Sequence, residues 1–255
     1  MITCSIVPNN VCEWMYDKKF VMLLTSALKD EKHKDKYIET ALEYVGGCHT
    51  ILKDDCGCSL IELLAAAETL QASEIILPGE TIAEIKDQVD CIIDLKQKCL
   101  FPGLKEVKLQ AMCGANSLEE WLPKYRALQQ IDEIDVVGLP KSLSIWCKDA
   151  NRINALKDFL WERPETKPIH LLGFWYSIKE LLELPVELIG KIRSADTTLF
   201  ALNAIDNQSV LEDRRSRLDT NHEYKELFRE NYDRVMNEYY NLLYDKADKE
   251  GYLGV

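Results

Sequence analysis

The segment HTILKDDCGCSLIELLAAAETLQASEIILP, residues 49–78, contains the pattern that decides the fold. Residues 49–54 and 74–78 are short apolar runs of strand length, and residues 59–71 between them have the apolar spacing of a helix. Ser59 and Glu62 form the capping-box pattern that is typical of a helix N-terminus. A strand, a helix and a second strand in this order predict two neighbouring strands of a parallel sheet.

The same alternation extends along the chain in both directions. Further strands are predicted at residues 2–7, 19–24, 107–113, 134–140, 168–174 and 192–199. Eight strands, most of them separated by helical segments such as residues 149–162 and 177–192, predict an α/β protein with a single (β/α)8 barrel over residues 1–206. An open doubly wound sheet is the alternative, but no GxGxxG motif follows the first strand.

Residues 207–255 have a different character, which predicts a charged loop and an extra C-terminal amphipathic helix packed on the barrel. Three basic residues of the loop are candidate phosphate ligands: Arg214, Arg215 and Arg217. The helix has an aromatic stripe at helical spacing, formed by Tyr224, Phe228, Tyr232, Val235 and Tyr239. Such a stripe is usually a packing face, so it is expected to cover the barrel or to contact a second subunit, identical or different.

Composition limits the classes of function. The net charge of −12 gives no general attraction to nucleic acid and favours a small substrate. No secretory signal and no apolar run of membrane-spanning length are evident, and the nine cysteines are mostly scattered, so we expect a cytoplasmic protein with reduced thiols. Cys56 and Cys58 lack a second ligand pair with zinc-site spacing and are interpreted as loop thiols, so neither metal nor cofactor is expected.

Carboxylates follow the apolar runs of three predicted strands. In a barrel the active site lies at the carboxyl ends of the strands, so Asp54, Glu80 and Asp196 are expected to face one mouth. Each of them could instead cap a helix, and Asp196 is expected to be solvated. His170, in the seventh strand, is either a core histidine with a satisfied ring or a catalytic base.

Six segments occur in an order that resembles the tRNA-guanine transglycosylases, most closely the short phage and bacterial DpdA-like enzymes that insert 7-deazaguanines into DNA. The resemblance covers residues 20–204. The segments are VMLLTSALKDEKHKDKYIE, TILKDDCG, EIILPGETI, LQAMCGANSLEEW, IDVVGLPKSL, and IHLLGFWYSIKELLEL followed by IRSADTTLF. The last is the most specific, because a His-Leu-Leu-Gly strand, a helix and a strand ending in Asp-Thr follow one another in that family.

The resemblance implies transfer or cleavage of an N-glycosidic bond through a carboxylate nucleophile. Asp196 matches the family's nucleophile, and Asp54 or Glu80 is the candidate acid or base. The implied substrate-binding positions are Lys53, Gly79, Glu80, Cys113, Gly114, Gly138, Lys141, Gly173 and Trp175. Several differ from the family's base-binding residues, since Gly79 replaces an aspartate and Lys141 an arginine, so a base other than guanine is expected.

A second function class remains open from the sequence. The altered motif positions and the aromatic C-terminal helix also fit a barrel that has lost catalysis and binds a nucleotide or another protein. The implied partners are therefore a nucleotide-derived substrate or a nucleic acid, and a subunit bound through that helix.

Overall fold

The structure is a computed structural model of the 255-residue chain. It describes residues 2–6, 12, 20–43, 47–112, 115, 117–141, 152, 167–173, 186–188, 191–197, 225–234, 245 and 249.

Eight strands form a closed barrel in sequence order, which confirms the predicted (β/α)8 class. The strands are β1 (Ile2–Ser5), β2 (Phe20–Leu24), β3 (His49–Lys53), β4 (Glu74–Leu77), β5 (Lys108–Ala111), β6 (Val136–Pro140), β7 (Ile169–Leu172) and β8 (Ile192–Thr197). Every strand pairing that the described residues show is parallel. Each strand lies within a predicted run, and the predicted runs are one to three residues longer than the strands.

Five α-helices have bounds that the described residues give. They are α1 (Lys34–Glu43), α2 (Leu60–Thr69), α3 (Ile82–Gln97), α4 (Leu118–Leu128) and α5 (Lys225–Arg234), and short 3-10 helices occupy Thr25–Lys29, Pro102–Leu104 and Val186–Leu188. The N-termini of α2 and α3 have capping boxes, formed by Ser59 with Glu62 and by Thr81 with Glu84. Side-chain acceptors thereby satisfy amides that a helix start leaves without partners, and this fixes where each helix leaves the preceding loop.

The chain divides into two compact units, Met1–Trp14 with Leu139–Val255, and Met15–Gly138. In the second unit, apolar residues of β2, β3 and β4 are buried together with Leu63, Leu64 and Ile85 of the helices. In the first unit, Ile169, Leu171 and Ala195 are buried in β7 and β8. Burying these apolar surfaces is the main favourable contribution to folding in each unit.

The C-terminal helix is confirmed where the structure describes it. Phe228 and Tyr232 of α5 are buried, four residues apart, as the aromatic stripe predicts for a packing face. The predicted domain boundary between residues 206 and 207, the other members of the stripe and most of the helices predicted at 149–162 and 177–192 lie outside the described residues. Among the described residues, no helix combines the length and the apolar character needed to cross a bilayer.

Candidate functional site

His170 and Asp196 are paired across the neighbouring strands β7 and β8. Nε2 of His170 lies 3.0 Å from Oδ1 of Asp196, and Nδ1 of His170 lies 2.7 Å from Oγ of Ser194. Because side chains alternate along a strand, Ser194 and Asp196 lie on the same face of β8. The His170 ring is fully buried with both nitrogens hydrogen-bonded, which agrees with the predicted core histidine with a satisfied ring.

Of these two hydrogen bonds, the one to Asp196 has a direction that its acceptor fixes. Nε of Arg193 donates to Oγ of Ser194 at 3.1 Å, and the same oxygen lies 2.7 Å from Nδ1 of His170. The Asp196 carboxylate can only accept a hydrogen bond, so Nε2 of His170 is the donor to it.

Asp196 is buried, with 1% of its surface exposed, so the expectation of a solvated carboxylate is wrong. Besides His170, the backbone N–H of Gly173 donates to Oδ1 of Asp196 at 2.9 Å. A buried carboxylate needs such donors, because an ion removed from water loses its hydration energy. The aspartate occupies the fifth of six positions in β8, close to its carboxyl end as predicted.

Gly173 connects this carboxylate to a buried cation. Its N–H faces Asp196, and its carbonyl accepts a hydrogen bond from Nη2 of Arg152 at 2.7 Å. The φ angle of Gly173 is +67°, in the left-handed region that favours glycine, and a Cβ atom there would lie 3.2 Å from Cδ of Lys141. The predicted binding position at Gly173 is therefore also a backbone turn that glycine makes possible.

Arg152 is a functional candidate that the sequence analysis missed. Its side chain is fully buried, and Nη1 donates to the carbonyls of Leu139 at 2.6 Å and Leu172 at 2.9 Å. The guanidinium therefore joins the carboxyl-end backbone of β6 to that of β7 and to Gly173. An arginine near the start of a predicted helix was the available signal, but such arginines are usually exposed.

Lys141 follows β6 directly and belongs to the same group of strand ends. Its backbone N–H donates to the carbonyl of Leu172 at 2.9 Å, and its side-chain methylenes approach Gly173. The structure thus brings together three predicted site residues, Lys141, Gly173 and Asp196, around the end of β7. Gly138, another predicted binding position, is buried within β6.

Asp54 organises the loop that joins β3 to α2. Oδ1 accepts hydrogen bonds from Oγ1 of Thr25 at 2.7 Å and from the backbone N–H of Cys56 at 3.2 Å. Oδ2 accepts from the N–H groups of Gly57 and Cys58, both at 3.1 Å. Partial burial alone would raise the pKa of Asp54, but the hydrogen bonds from Thr25, Cys58 and Cys56 outweigh it and hold the pKa below the usual value. The carboxyl is therefore ionised near neutral pH, which suits a base or a ligand better than an acid.

Two thiols lie against this carboxylate. Sγ of Cys56 is 3.5 Å from Sγ of Cys58 and 3.7 Å from Oδ1 of Asp54. One ligand atom from each of these three residues lies within 4.8 Å of the others, and all three residues are half-buried. We call Asp54, Cys56 and Cys58 the thiol–carboxylate cluster; within the described residues it is the group whose donors are close enough to hold a metal ion together.

The other predicted site residues of the second unit that the structure describes are Glu80, Gly79 and Lys53. Glu80 is exposed, and its carbonyl accepts a hydrogen bond from Nζ of Lys124 at 3.0 Å. A Cβ atom on Gly79 would lie 2.7 Å from Cγ1 of Ile85, so close packing against α3 requires glycine there. Lys53 ends β3 and is half-buried.

Six of the predicted site residues belong to parts of the chain that the structure does not describe. Cys113, Gly114, Trp175, Arg214, Arg215 and Arg217 lie outside the described residues. Asp54 and Glu80 belong to one compact unit and Asp196 to the other, and the convergence of the three carboxylates at one mouth stays a prediction.

Comparison with known proteins gives the fold. No protein-family model matches the chain, and no curated protein matches it. Among solved structures, the chain is similar to macrophomate synthase, with 14% identity, a TM-score of 0.52 and 81% of each chain covered. It is also similar to a putative fructose-1,6-biphosphate aldolase from Coccidioides immitis, with 9% identity, a TM-score of 0.51, and 97% of this chain and 91% of that chain covered. At these identities the likeness supports the barrel fold alone.

Proposed function

We propose that this protein is a barrel enzyme that acts on a small nucleotide-derived substrate, with the Asp196 carboxylate as its nucleophile. The observation that carries the proposal is the anchoring of Asp196 near the carboxyl end of β8 by Nε2 of His170 and the N–H of Gly173. Barrel enzymes place catalytic groups at these strand ends. Two short hydrogen bonds fix the carboxylate in position, which is what attack on a bound carbon requires.

The proposed reaction is transfer or hydrolysis at an N-glycosidic bond. A carboxylate oxygen of Asp196 attacks C1′ of the sugar, a C–O bond forms, and the C–N bond breaks with its electron pair leaving on the base. A second base, or water, then attacks C1′ and releases the carboxylate. Such a double displacement retains the configuration at C1′, as in glycosidases that form a glycosyl-enzyme intermediate. His170 and Gly173 would orient the carboxylate and stabilise it as it leaves.

A non-catalytic barrel that binds a nucleotide or a protein is the second candidate. It is favoured by the engagement of both Asp54 and Asp196 in hydrogen bonds to nearby backbone amides. Such bonds stabilise loops whether or not chemistry takes place.

Trapping of the intermediate distinguishes the two candidates. The full-length protein is incubated with a panel of nucleosides, nucleotides and short DNA, quenched with acid and measured by intact-protein mass spectrometry. The expected result is a mass increase equal to one sugar or sugar phosphate, located on the peptide that contains Asp196 and missing in Asp196→Asn. Binding of a nucleotide without base release or adduct, across the panel, would favour the non-catalytic barrel.

A further inference from the structure

We propose that the thiol–carboxylate cluster binds one divalent ion of borderline softness, best represented by zinc. Two cysteine thiolates and one carboxylate are ligands that zinc accepts, and softer donors select it over magnesium or calcium. From the sequence, only the two cysteines are recognisable as metal ligands, because Asp54 is not part of a known metal-ligand spacing. The fold supplies it as the third ligand.

Two of the three separations between the donor atoms are close to those of a tetrahedral site, and the third is within 4.8 Å. Zn–S bonds of about 2.3 Å and Zn–O bonds of about 2.0–2.2 Å place two sulfurs about 3.8 Å apart and a sulfur and an oxygen about 3.5 Å apart. In the cluster the two Sγ atoms are 3.5 Å apart, and Sγ of Cys56 is 3.7 Å from Oδ1 of Asp54. An ion could therefore bind with shifts of a few tenths of an ångström in these two separations.

Groups around the cluster would support a bound cation. Oγ1 of Thr25 contacts both Oδ1 of Asp54, at 2.7 Å, and Sγ of Cys56, at 3.2 Å, so it orients two of the three ligands. Outer contacts of this kind commonly hold metal ligands in place. Lys29 lies close enough to Cys56 and Cys58 to interact with their charge, and its own charge together with that of a divalent ion would balance two thiolates and one carboxylate.

Three protein ligands leave one tetrahedral position for water or for a small ligand. Structural zinc sites are usually closed by four protein ligands, whereas sites with three keep an exchangeable position. The three residues are only half-buried, so an ion from solvent can reach the cluster. On binding, the two thiols lose their protons to solvent, so metal uptake should release protons.

Two measurements on the full-length reduced protein test this site. In the first, zinc is titrated in competition with a chromophoric chelator, and the expected stoichiometry is one ion per chain. In the second, cobalt(II) replaces zinc as a spectroscopic probe. Thiolate-to-cobalt charge-transfer absorption together with the intense visible bands of tetrahedral cobalt is expected, because both require sulfur ligands in that geometry.

Single cysteine variants test whether Cys56 and Cys58, and not other cysteines of the chain, bind the zinc ion. Cys56→Ser and Cys58→Ser should each weaken zinc binding by about 100-fold or more and remove the charge-transfer band. Cys91→Ser and Cys99→Ser, which change free cysteines outside the cluster, should leave both unchanged. Asp54→Asn also removes hydrogen bonds from the loop, so circular dichroism must show that this variant is folded before its affinity is compared.

Three results would overturn the proposal. One is wild-type zinc affinity in the Cys56→Ser, Cys58→Ser double variant. Another is a cobalt complex without sulfur charge transfer. The third is a redox pair in place of a metal site: oxidised dithiothreitol would convert the two thiols to a disulfide, with release of reduced dithiothreitol, while the reduced protein failed to retain zinc against the chelator.

Discussion

Nε2 of His170 donates to Oδ1 of Asp196 across 3.0 Å, in a pair that is almost completely shielded from solvent. A second histidine–carboxylate pair is buried only on the carboxylate side: Nε2 of the half-buried His49 lies 2.9 Å from Oε2 of the fully buried Glu74. The two differ in position. His49 and Glu74 are the first residues of β3 and β4, whereas Asp196 is near the end of β8. Residues at the amino ends of barrel strands usually serve stability, and those at the carboxyl ends serve catalysis.

The two pairs provide a matched test of the role of Asp196. Asp196→Asn and Glu74→Gln each keep an oxygen that can accept from the histidine but remove a buried charge. We expect both to lower the free energy of unfolding by about 1–3 kcal/mol, because hydrogen bonds to charged acceptors are stronger than neutral ones. Asp196→Asn alone should lower base release or exchange, on the order of 10³-fold or more, since the nucleophile is lost.

Urea unfolding and turnover per folded molecule are measured for both variants. Turnover that is equal in Asp196→Asn and in the wild type would exclude the proposed nucleophile. An equal loss of turnover in Glu74→Gln would show that the defect reflects the fold and not the reaction.

Gly173 and Gly57 form a second matched pair, because both have left-handed φ angles, +67° and +73°. Gly57→Ala meets nothing within 4 Å and should cost about 1–2 kcal/mol of unfolding free energy, the usual penalty of that conformation. Gly173→Ala adds the contact with Lys141 and shifts the N–H that binds Asp196, so a larger loss is expected, together with reduced turnover. The measurement is urea unfolding of both variants, and equal losses would contradict the crowding at Gly173.

Strand positions could be predicted from the sequence because each strand is a short apolar run that ends near a polar or small residue. The helix starts at Ser59 and Ser117 were predictable for the same local reason, since both serines accept a hydrogen bond from the amide three residues on. These features depend on neighbours within a few positions, and no tertiary information is needed to see them.

The contacts of the candidate site depend on distant residues and could not be read in the same way. Arg152 binds the carbonyls of Leu172 and Gly173, twenty and twenty-one positions away, and Thr25 reaches Asp54 across twenty-nine. Asp196 was correctly placed at a strand end, but its burial depends on β7, so the solvated carboxylate was a wrong expectation. From the sequence, Asp54 was predicted to be an acid or a base. The short distances between its carboxylate and the two thiols follow from the folded shape of the loop.

The N-terminus of α3 predicts a dependence of stability on pH. Hydrogen bonds from the backbone amides of Glu80 and Thr81 outweigh desolvation and hold the pKa of Glu84 below its usual value. A carboxyl whose pKa is lowered by folding contributes stability above its unfolded pKa, and this contribution is lost as the pH falls through the folded value. Thr81→Ala removes one half of the capping box that Thr81 forms with Glu84, and it should lower the free energy of unfolding by about 1 kcal/mol at pH 7.

The pH dependence is tested with Glu84→Gln. The difference in unfolding free energy between wild type and Glu84→Gln should be largest near neutral pH and should shrink below about pH 4.5, where the wild-type carboxyl begins to protonate. Glu39→Gln, on the exposed face of α1, serves as the control and should show no comparable trend. A difference that stays constant from pH 7 to pH 3 would contradict the role of the ionised carboxylate.

Arg152 should be needed both for the stability of the first unit and for the position of Asp196. Arg152→Met fills similar space but removes the donor that the carbonyls of Leu139, Leu172 and Gly173 share. Leu172 keeps the hydrogen bond from the N–H of Lys141, and each carbonyl that is left unsatisfied and out of reach of water costs about 1–3 kcal/mol. Arg152→Lys keeps the charge but lacks the planar fork that reaches three carbonyls, so it should recover only part of the stability. Because Gly173 contacts both Arg152 and Asp196, both variants should lower turnover at saturating substrate more than substrate affinity. Urea unfolding and steady-state kinetics of both variants test this. Wild-type stability and turnover in Arg152→Lys would show that the positive charge alone is required, and not a side chain that donates to three carbonyls.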